Sequence, residues 1–325
     1  MSAISNILIT KNNDLVLTFK IFYFISLLIT LCVLLSLVLA NSIYYKDNIT
    51  QTGKASISEL NKTLYFDNSH SKKAFENEQD IDEIQIEKIK KTKLIPNITV
   101  SRLPNELKKT KSVENRKNLF IKIALPLIVK ENEKLLLLNN KVKLIKSRLD
   151  WISRNEAVLI ADLMKEYDSF SIDDLILKID AIPVSLALSQ AVIESGWGTS
   201  RFAMEGNALF GQYVWDNNNK GIIPNERESD AKYKIKSFDN LRASVESYMK
   251  NLNTNFHYNE FRIHRFVMRS NGLGLNGIDL ADYLYNYSIE SDYPSKIKNI
   301  IEINNFDDFE NVSIERQITL DSDII

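Results

Sequence analysis

Residues 183–212, PVSLALSQAVIESGWGTSRFAMEGNALFGQ, constrain this chain more than any other stretch, because an apolar helix, one carboxylate and a glycine-aromatic loop coincide there. Pro183 suits a first helical turn, where its missing N–H costs no intrahelical bond. Leu186, Ala187, Leu188, Ala191, Val192 and Ile193 follow so densely that the helix is expected to be buried on most sides. Gly196 and Gly198 end it. Glu194 therefore falls in the last turn, where the negative helix end and the apolar neighbours both disfavour a charged carboxylate and raise its pKa. A carboxylic acid kept protonated near neutral pH suits protonation of a glycosidic oxygen. Gln190, four residues earlier, is placed to bond the Glu194 carboxyl through its amide. Taken alone, Glu-Ser-Gly fits a solvated residue beside a glycine cap better than a catalytic one. The flanking residues favour the chemical reading.

Trp197, Phe202, Phe210, Tyr213 and Trp215 follow the helix, interleaved with glycines at 196, 198, 206 and 211. Flat aromatic faces suit the C–H faces of sugar rings, and glycines let a backbone approach a ligand closely. This combination points to a saccharide groove, with Phe202 expected in the core.

The run SLALSQAVIESGWGTSRFAMEGNALFGQ resembles the bacterial Bax-type glucosaminidases, which are related to glycoside hydrolase family 73 and the flagellar peptidoglycan hydrolases. The shared pattern is A/S-Q-A-x-x-E-S-G-W-G, then S-R-F-A, then G-N-x-L-F-G-Q. Likeness extends through 116–136, 244–255 and 287–297, and so covers residues 100 to 305 or thereabouts. The resemblance implies a mostly α, lysozyme-like helical domain that cleaves β-linked N-acetylglucosamine in glycan chains, with no cofactor and no metal. It also implies substrate contacts for Gln190, Ser195, Trp197, Asn207, Phe210 and Gln212. The segment from Tyr287 to Tyr293 is similar to the family's Y-A-T-D-P-x-Y, with Ser288, Ile289, Glu290 and Ser291 replacing its middle, which makes Tyr287 and Tyr293 candidates for substrate hydroxyl or N-acetyl contacts.

Length and charge bound the rest. At 325 residues the chain has room for one catalytic domain plus extra segments. Its 41 basic and 42 acidic residues give no basic field, which argues against nucleic acid as a partner. Cys32 is the only cysteine, so no intramolecular disulfide forms. After a short segment, 1–20, residues 21–40 (IFYFISLLITLCVLLSLVLA) form an uncharged run long enough to cross ~30 Å of hydrocarbon as a helix. It reads as a single-pass inner-membrane anchor that places the rest of the chain outside the cell or in the periplasm, with a cleaved signal peptide as the alternative. Residues 41–95 read as a polar tether in which Ile81, Ile84, Ile86 and Ile89 hint at a short helix. The catalytic domain is expected over 96–305, and 306–325 as a loosely ordered acidic tail.

Within that domain, residues 119–129 contain Pro126 and predict a kinked or broken helix, followed by helices over 135–149 and 155–167 and a helix start at Ser171. Helix after helix argues an α-rich fold. Tyr233 and Ile235 alternate with Lys232, Lys234 and Lys236, which predicts a small β-hairpin flap. A second catalytic carboxylate is expected there, nominally Glu228, with Glu226 and Asp230 as alternatives. A carboxylate that activates water implies inversion and a separation of roughly 6.5–9.5 Å, whereas attack by the substrate's own N-acetyl group implies retention. His257 and His264 share a helical spacing but lack a third ligand, so no metal is assigned. The reading is a membrane-tethered peptidoglycan hydrolase with Glu194 as its acid. A lytic transglycosylase, or a non-catalytic glycan-binding or wall-scaffolding protein, remains as an alternative from another class.

Overall fold

In the computed structural model, which describes residues 36, 81, 84–215, 220–225 and 233–315, helices make up most of the described residues. Ser36 aside, these residues belong to the unit Phe66–Ile325. Short elements α1 (Ile86–Thr92), β1 (Leu94–Ile95) and α2 (Glu106–Lys109) lead into the long helix α3 (Val113–Lys146). Helices α4 (Arg154–Glu166), α5 (Ile172–Lys178), α6 (Val184–Ser195) and α7 (Arg201–Gly206) follow. Strands β2 (Tyr213–Val214), β3 (Gly221–Ile222) and β4 (Lys234–Lys236) precede α8 (Leu241–Thr254), α9 (Asn259–Ser270), α10 (Gly277–Ala281), α11 (Tyr293–Asn304) and β5 (Ser313–Ile314). Local chemistry accounts for several starts: the Ser153, Ser171 and Asn240 side chains each accept a hydrogen bond from the backbone three residues on, and Ser153 with Glu156 completes a capping box.

Three expectations are corrected. The chain does not break at Pro126, because α3 runs unbroken from Val113 to Lys146. A proline costs its helix one hydrogen bond and crowds the preceding turn, but Leu125, Leu127 and Ile128 around it are buried in the core and hold the turns together. The acidic tail is part of the fold as far as Ile314: Phe306 and Phe309 are fully buried, and β5 pairs in parallel with β1. The surrounding acids masked two phenylalanines spaced three apart on a turn of 3₁₀ helix. Likewise Ile84 and Ile89, assigned to the tether, are core residues. The flap is a three-stranded antiparallel sheet of order β2-β4-β3, with Ile235 facing inward between half-buried Lys234 and Lys236. Glu226, Glu228, Asp230 and Lys232 lie outside the described residues, as does the anchor run 21–40 apart from Ser36. Among the described residues no helix is long and apolar enough to cross a membrane.

Helix α6 is the centre of the packing. It lies against α3, α10, α11 and the turn Phe306–Phe309, and ten of its residues, Val184 through Val192 and Ser195, are buried. The loop before it is clamped by side chains from three helices. Asn132 exchanges two hydrogen bonds with Ile182, Asn253 donates to Asp180 O, and the fully buried Arg265 donates to Asp180 O and Ala181 O. Arg269 closes the cluster with a 2.6 Å bond to the Asp180 carboxylate. Pro183 stands at the N-cap, one residue ahead of the expected place, and has no side chain with which to cap. Glu310 does that work from the far end of the chain. Its carboxylate accepts from Val184 N, Ser185 N and Ser185 Oγ at 3.1, 3.1 and 2.6 Å. A negative charge at a helix N-terminus is also favoured by the dipole.

Glu310→Ala is expected to destabilise the protein by about 2 kcal/mol, since it strips the cap from a buried helix start. Denaturant unfolding of the full-length protein measures this, and a cost under about 0.5 kcal/mol, the scale of ordinary surface changes, would show that the cap carries no weight.

Candidate active site

Glu194 sits in the last turn of α6, half-buried, with Gly196 in the left-handed region (φ 57°) ending the helix and bonding back to Val192 O. Burial raises its pKa, the negative charge of Glu290 adds to the rise, and a hydrogen bond from Tyr293 partly offsets them. The two carboxyl oxygens have different surroundings. Oε1 accepts from the Tyr293 hydroxyl at 2.8 Å. Oε2 faces Gly211, where an added Cβ would come within 2.8 Å of it. Gly211 also has a φ of +56°, which favours glycine. With Oε1 engaged as an acceptor, Oε2 is the oxygen left to carry the acid proton.

The expected Gln190–Glu194 contact is replaced by a relay. One helical turn does put both side chains on one face, but the Tyr293 hydroxyl, from the first residue of α11, enters between them. Gln190 Nε2 donates to Tyr293 OH at 3.1 Å, and Gln190 Oε1 accepts from the Tyr248 hydroxyl at 2.7 Å. Gln190, Tyr248 and Tyr293 are all at most 1% exposed. Burial pushes both tyrosines well above the usual phenol range, so they remain hydroxyl donors. Tyr287 stacks parallel to Tyr293 at 5.5 Å and donates to Phe210 O at 3.2 Å. Phe210 is itself buried and stacked on Tyr248 at 3.8 Å. Glu194, Gln190, Phe210, Tyr287 and Tyr293 thus converge.

The remaining motif residues hold the loop rather than face the acid. Ser195 is buried, donating to Ala191 O and accepting from Gly198 N. The Trp197 ring meets the edges of Phe120 and Phe306 at 5.9 and 6.1 Å, with the Lys117 ammonium 5.0 Å above it. Asn207 caps α7 in the left-handed region and donates to Phe238 O, and its buried Oδ1 has no partner among the described residues. Gln212 exchanges bonds with Ser247 and ties the sheet to α8. Phe202, expected in the core, is half-buried under the Arg201 guanidinium. Tyr213 and Trp215 are 60% and 69% exposed and both pack edge-on against Tyr233. His264 stacks on Tyr283, and among the described residues no group of three His, Cys, Asp or Glu is placed to hold a metal.

Sequence reasoning missed Tyr248 and Glu290, and placed Gly211 in the groove without its contact to Glu194. Tyr248 shares the inner face of α8 with Leu241 and Val245, a spacing that reads as core. Glu290 occupies the aspartate position of the tyrosine motif and is held by Lys296 at 2.6 Å.

Gly211→Ala is expected to push the Glu194 carboxyl aside and lower catalytic turnover by about 10²-fold, the scale of an ångström misplacement. Steady-state rates on a glycan substrate, with a melting curve to confirm folding, check this. Retention of full activity would show that Gly211 does not shape the acid.

Residues 174–306 match the family model described as glucosaminidase, mannosyl-glycoprotein endo-beta-N-acetylglucosaminidase. The chain is 30% identical over 199 residues to Protein bax of Escherichia coli (strain K12), an alignment covering 58% of this chain and 69% of that one. Among solved structures it matches the catalytic domain of the autolysin Auto from Listeria monocytogenes, at 18% identity and a TM-score of 0.31, over 46% of this chain and 80% of that one. Glu194, Gly211 and Tyr293 all fall inside the matched region, and the chain belongs to the Bax-type glucosaminidase family.

Proposed function

We propose that the chain is an endo-β-N-acetylglucosaminidase that hydrolyses β-1,4 linkages in the N-acetylglucosamine-containing glycan of peptidoglycan, within a lysozyme-like domain. The observation that carries this is the sorted carboxyl of Glu194, its pKa raised by burial, with Oε1 held by Tyr293 and Oε2 facing Gly211. Such an acid delivers its Oε2 proton to the glycosidic oxygen as the C1–O bond breaks; water then adds to C1 and yields a proton to the carboxylate that activates it, and proton exchange with solvent restores both groups. Gly211 and Gln212 lead into β2, which carries Tyr213 and is followed by Trp215, and the exposed rings of both suit stacking on sugars. The description of the matching family supports the linkage class. The uncharged run 21–40 supports a single-pass anchor that holds the domain against the cell wall, on the outer side of the inner membrane. Glu228 is proposed to activate the water.

Glu194→Gln is expected to lower hydrolysis of purified sacculi by at least about 10²-fold while leaving glycan binding intact, because an amide keeps the shape but has no acid proton. Residual activity within about tenfold of wild type would sink the assignment. Mass spectrometry of the fragments separates the readings. A reducing N-acetylglucosamine end supports hydrolysis, an anhydro end indicates a transglycosylase, and no cleavage indicates a binding module.

The pH profile follows from the same group. Glu194 must be protonated to act, and its pKa is raised, so the rate is expected to persist above the ordinary carboxylate range and fall as pH rises through the raised value. Loss of activity at the pH where exposed glutamates titrate would refute the buried-acid assignment.

A further inference from the structure

We propose that Tyr248 is a positioning residue: by donating to Gln190 Oε1 it fixes which end of that amide faces Tyr293, and so directs the Tyr293 proton onto Glu194. The inference rests on Glu194 being the acid. Three consecutive hydrogen bonds carry it: Tyr248 OH to Gln190 Oε1 at 2.7 Å, Gln190 Nε2 to Tyr293 OH at 3.1 Å, and Tyr293 OH to Glu194 Oε1 at 2.8 Å. Each link has one direction only. An amide oxygen only accepts and an amide nitrogen only donates, so a hydroxyl that receives the Gln190 N–H has its own proton free for the carboxylate.

Rotating the amide by half a turn reverses the chain. Oε1 would then face Tyr293 and compete with Glu194 for its proton. Nε2 would face Tyr248, whose own proton would be left without an acceptor, since among the described residues Gln190 is the only hydrogen-bond partner of that hydroxyl. A buried hydroxyl proton without a partner disfavours that arrangement about tenfold or more. The ring of Tyr248 is itself fixed, stacked on Phe210 at an interplanar angle of 7°. Tyr248, Gln190 and Tyr293 are all buried, which shields these links from bulk water. The lock therefore reaches the acid from α8, through a side chain of α6 that is linked to the Glu194 carboxyl by way of Tyr293.

The groups facing Glu194 come from every side. Tyr293 comes from the start of α11, Tyr287 and Glu290 from the segment before it, Tyr248 from α8, and Tyr258 from the turn that follows α8. Glu290 is exposed and paired with Lys296. Replacing the Tyr248 hydroxyl leaves all the others in place. In Tyr248→Phe the stacked ring remains, Gln190 Oε1 loses its donor, and the amide turns to take the Tyr293 proton. Glu194 then loses the bond that stabilises its charged form and titrates higher.

The test follows the Glu194 carboxyl by carbon-13 NMR in the full-length protein, assigned by its disappearance in Glu194→Gln, alongside the pH–rate profile on glycan. Tyr248→Phe is expected to raise the titration midpoint and the alkaline limb together by about one pH unit, the worth of a hydrogen bond to a charged group. Gln190→Met, which removes the competing acceptor, is expected to leave the midpoint in place. The double variant Tyr248→Phe/Gln190→Met is expected to return it to the wild-type position, a rescue that mere loosening of the core would not give. An unmoved midpoint in Tyr248→Phe, or an equal rise in Gln190→Met, would overturn the proposal. If Tyr248→Phe fails to fold, the wild-type amide decides: Gln190 Nε2 protons close to the Tyr293 hydroxyl support it, and closeness to Tyr248 refutes it. Because the carboxyl titration needs no turnover, a protein that does not cleave glycan sinks the functional reading while leaving this test intact.

Discussion

A helix buried on nearly every side must have its end groups satisfied by other parts of the chain, and α6 meets that demand at both ends. Its first N–H groups are free of intrahelical partners by geometry, and Pro183 offers no capping side chain. Glu310, more than a hundred residues away, supplies the acceptor for Val184 and Ser185. The loop leading in is pinned by Asn132, Asn253 and Arg265, and the far end is closed by Gly196 and the Ser195 hydroxyl. Segments distant in the chain pair as β1 and β5 for the same purpose, with Phe306, Phe309 and Glu310 just ahead of β5 lying against the helix. Rigidity at both ends of α6 is what makes the placement of Glu194 definite.

From that placement the chemistry follows in small steps. Burial makes the protonated form of Glu194 more favourable, Tyr293 occupies one oxygen, and Gly211 leaves space at the other. A residue with a Cβ at 211 would remove that space, so backbone chemistry in the loop sets the reach of the acid as directly as any side chain. The aromatic residues divide into two sets with different work. Trp197 and Phe210 pack the site from behind, whereas Tyr213 and Trp215 stay exposed on β2 and just after it.

Helix α9 illustrates how the core was completed with charge. Arg262 and Arg265 point inward and bond to backbone carbonyls, while Ile263, Phe266 and Val267 are exposed. Burying a guanidinium is costly unless its donors find acceptors, and here the terminal nitrogens find them in the carbonyls of α5, of the turn before α6 and of the end of α8, and in the Asn253 side chain, while the Nε of Arg262 and of Arg265 has no hydrogen-bond partner among the described residues. The pKa of Arg265 drops to about 10 through burial, with Asp180 opposing the fall. The group remains charged, and the clamp holds, across the neutral range.

The sequence by itself determined what depends on neighbours along the chain. The dense apolar run after Pro183, the glycine stop, the Ser171 helix start and the acid in the last turn were all legible, because a helix repeats within a few residues and its ends have local signals. The alternation at Ile235 showed the flap for the same reason. Tertiary structure alone decided whatever depends on distant contacts. Pro126 remained inside one helix because the core holds it there. The acidic segment past 305 was drawn in by two phenylalanines and a long-range cap. Gln190 was separated from Glu194 by a tyrosine about a hundred residues away. Each of these outcomes balances a local preference against burial and hydrogen bonding to a remote segment, and spacing along the chain carries no measure of what that segment brings.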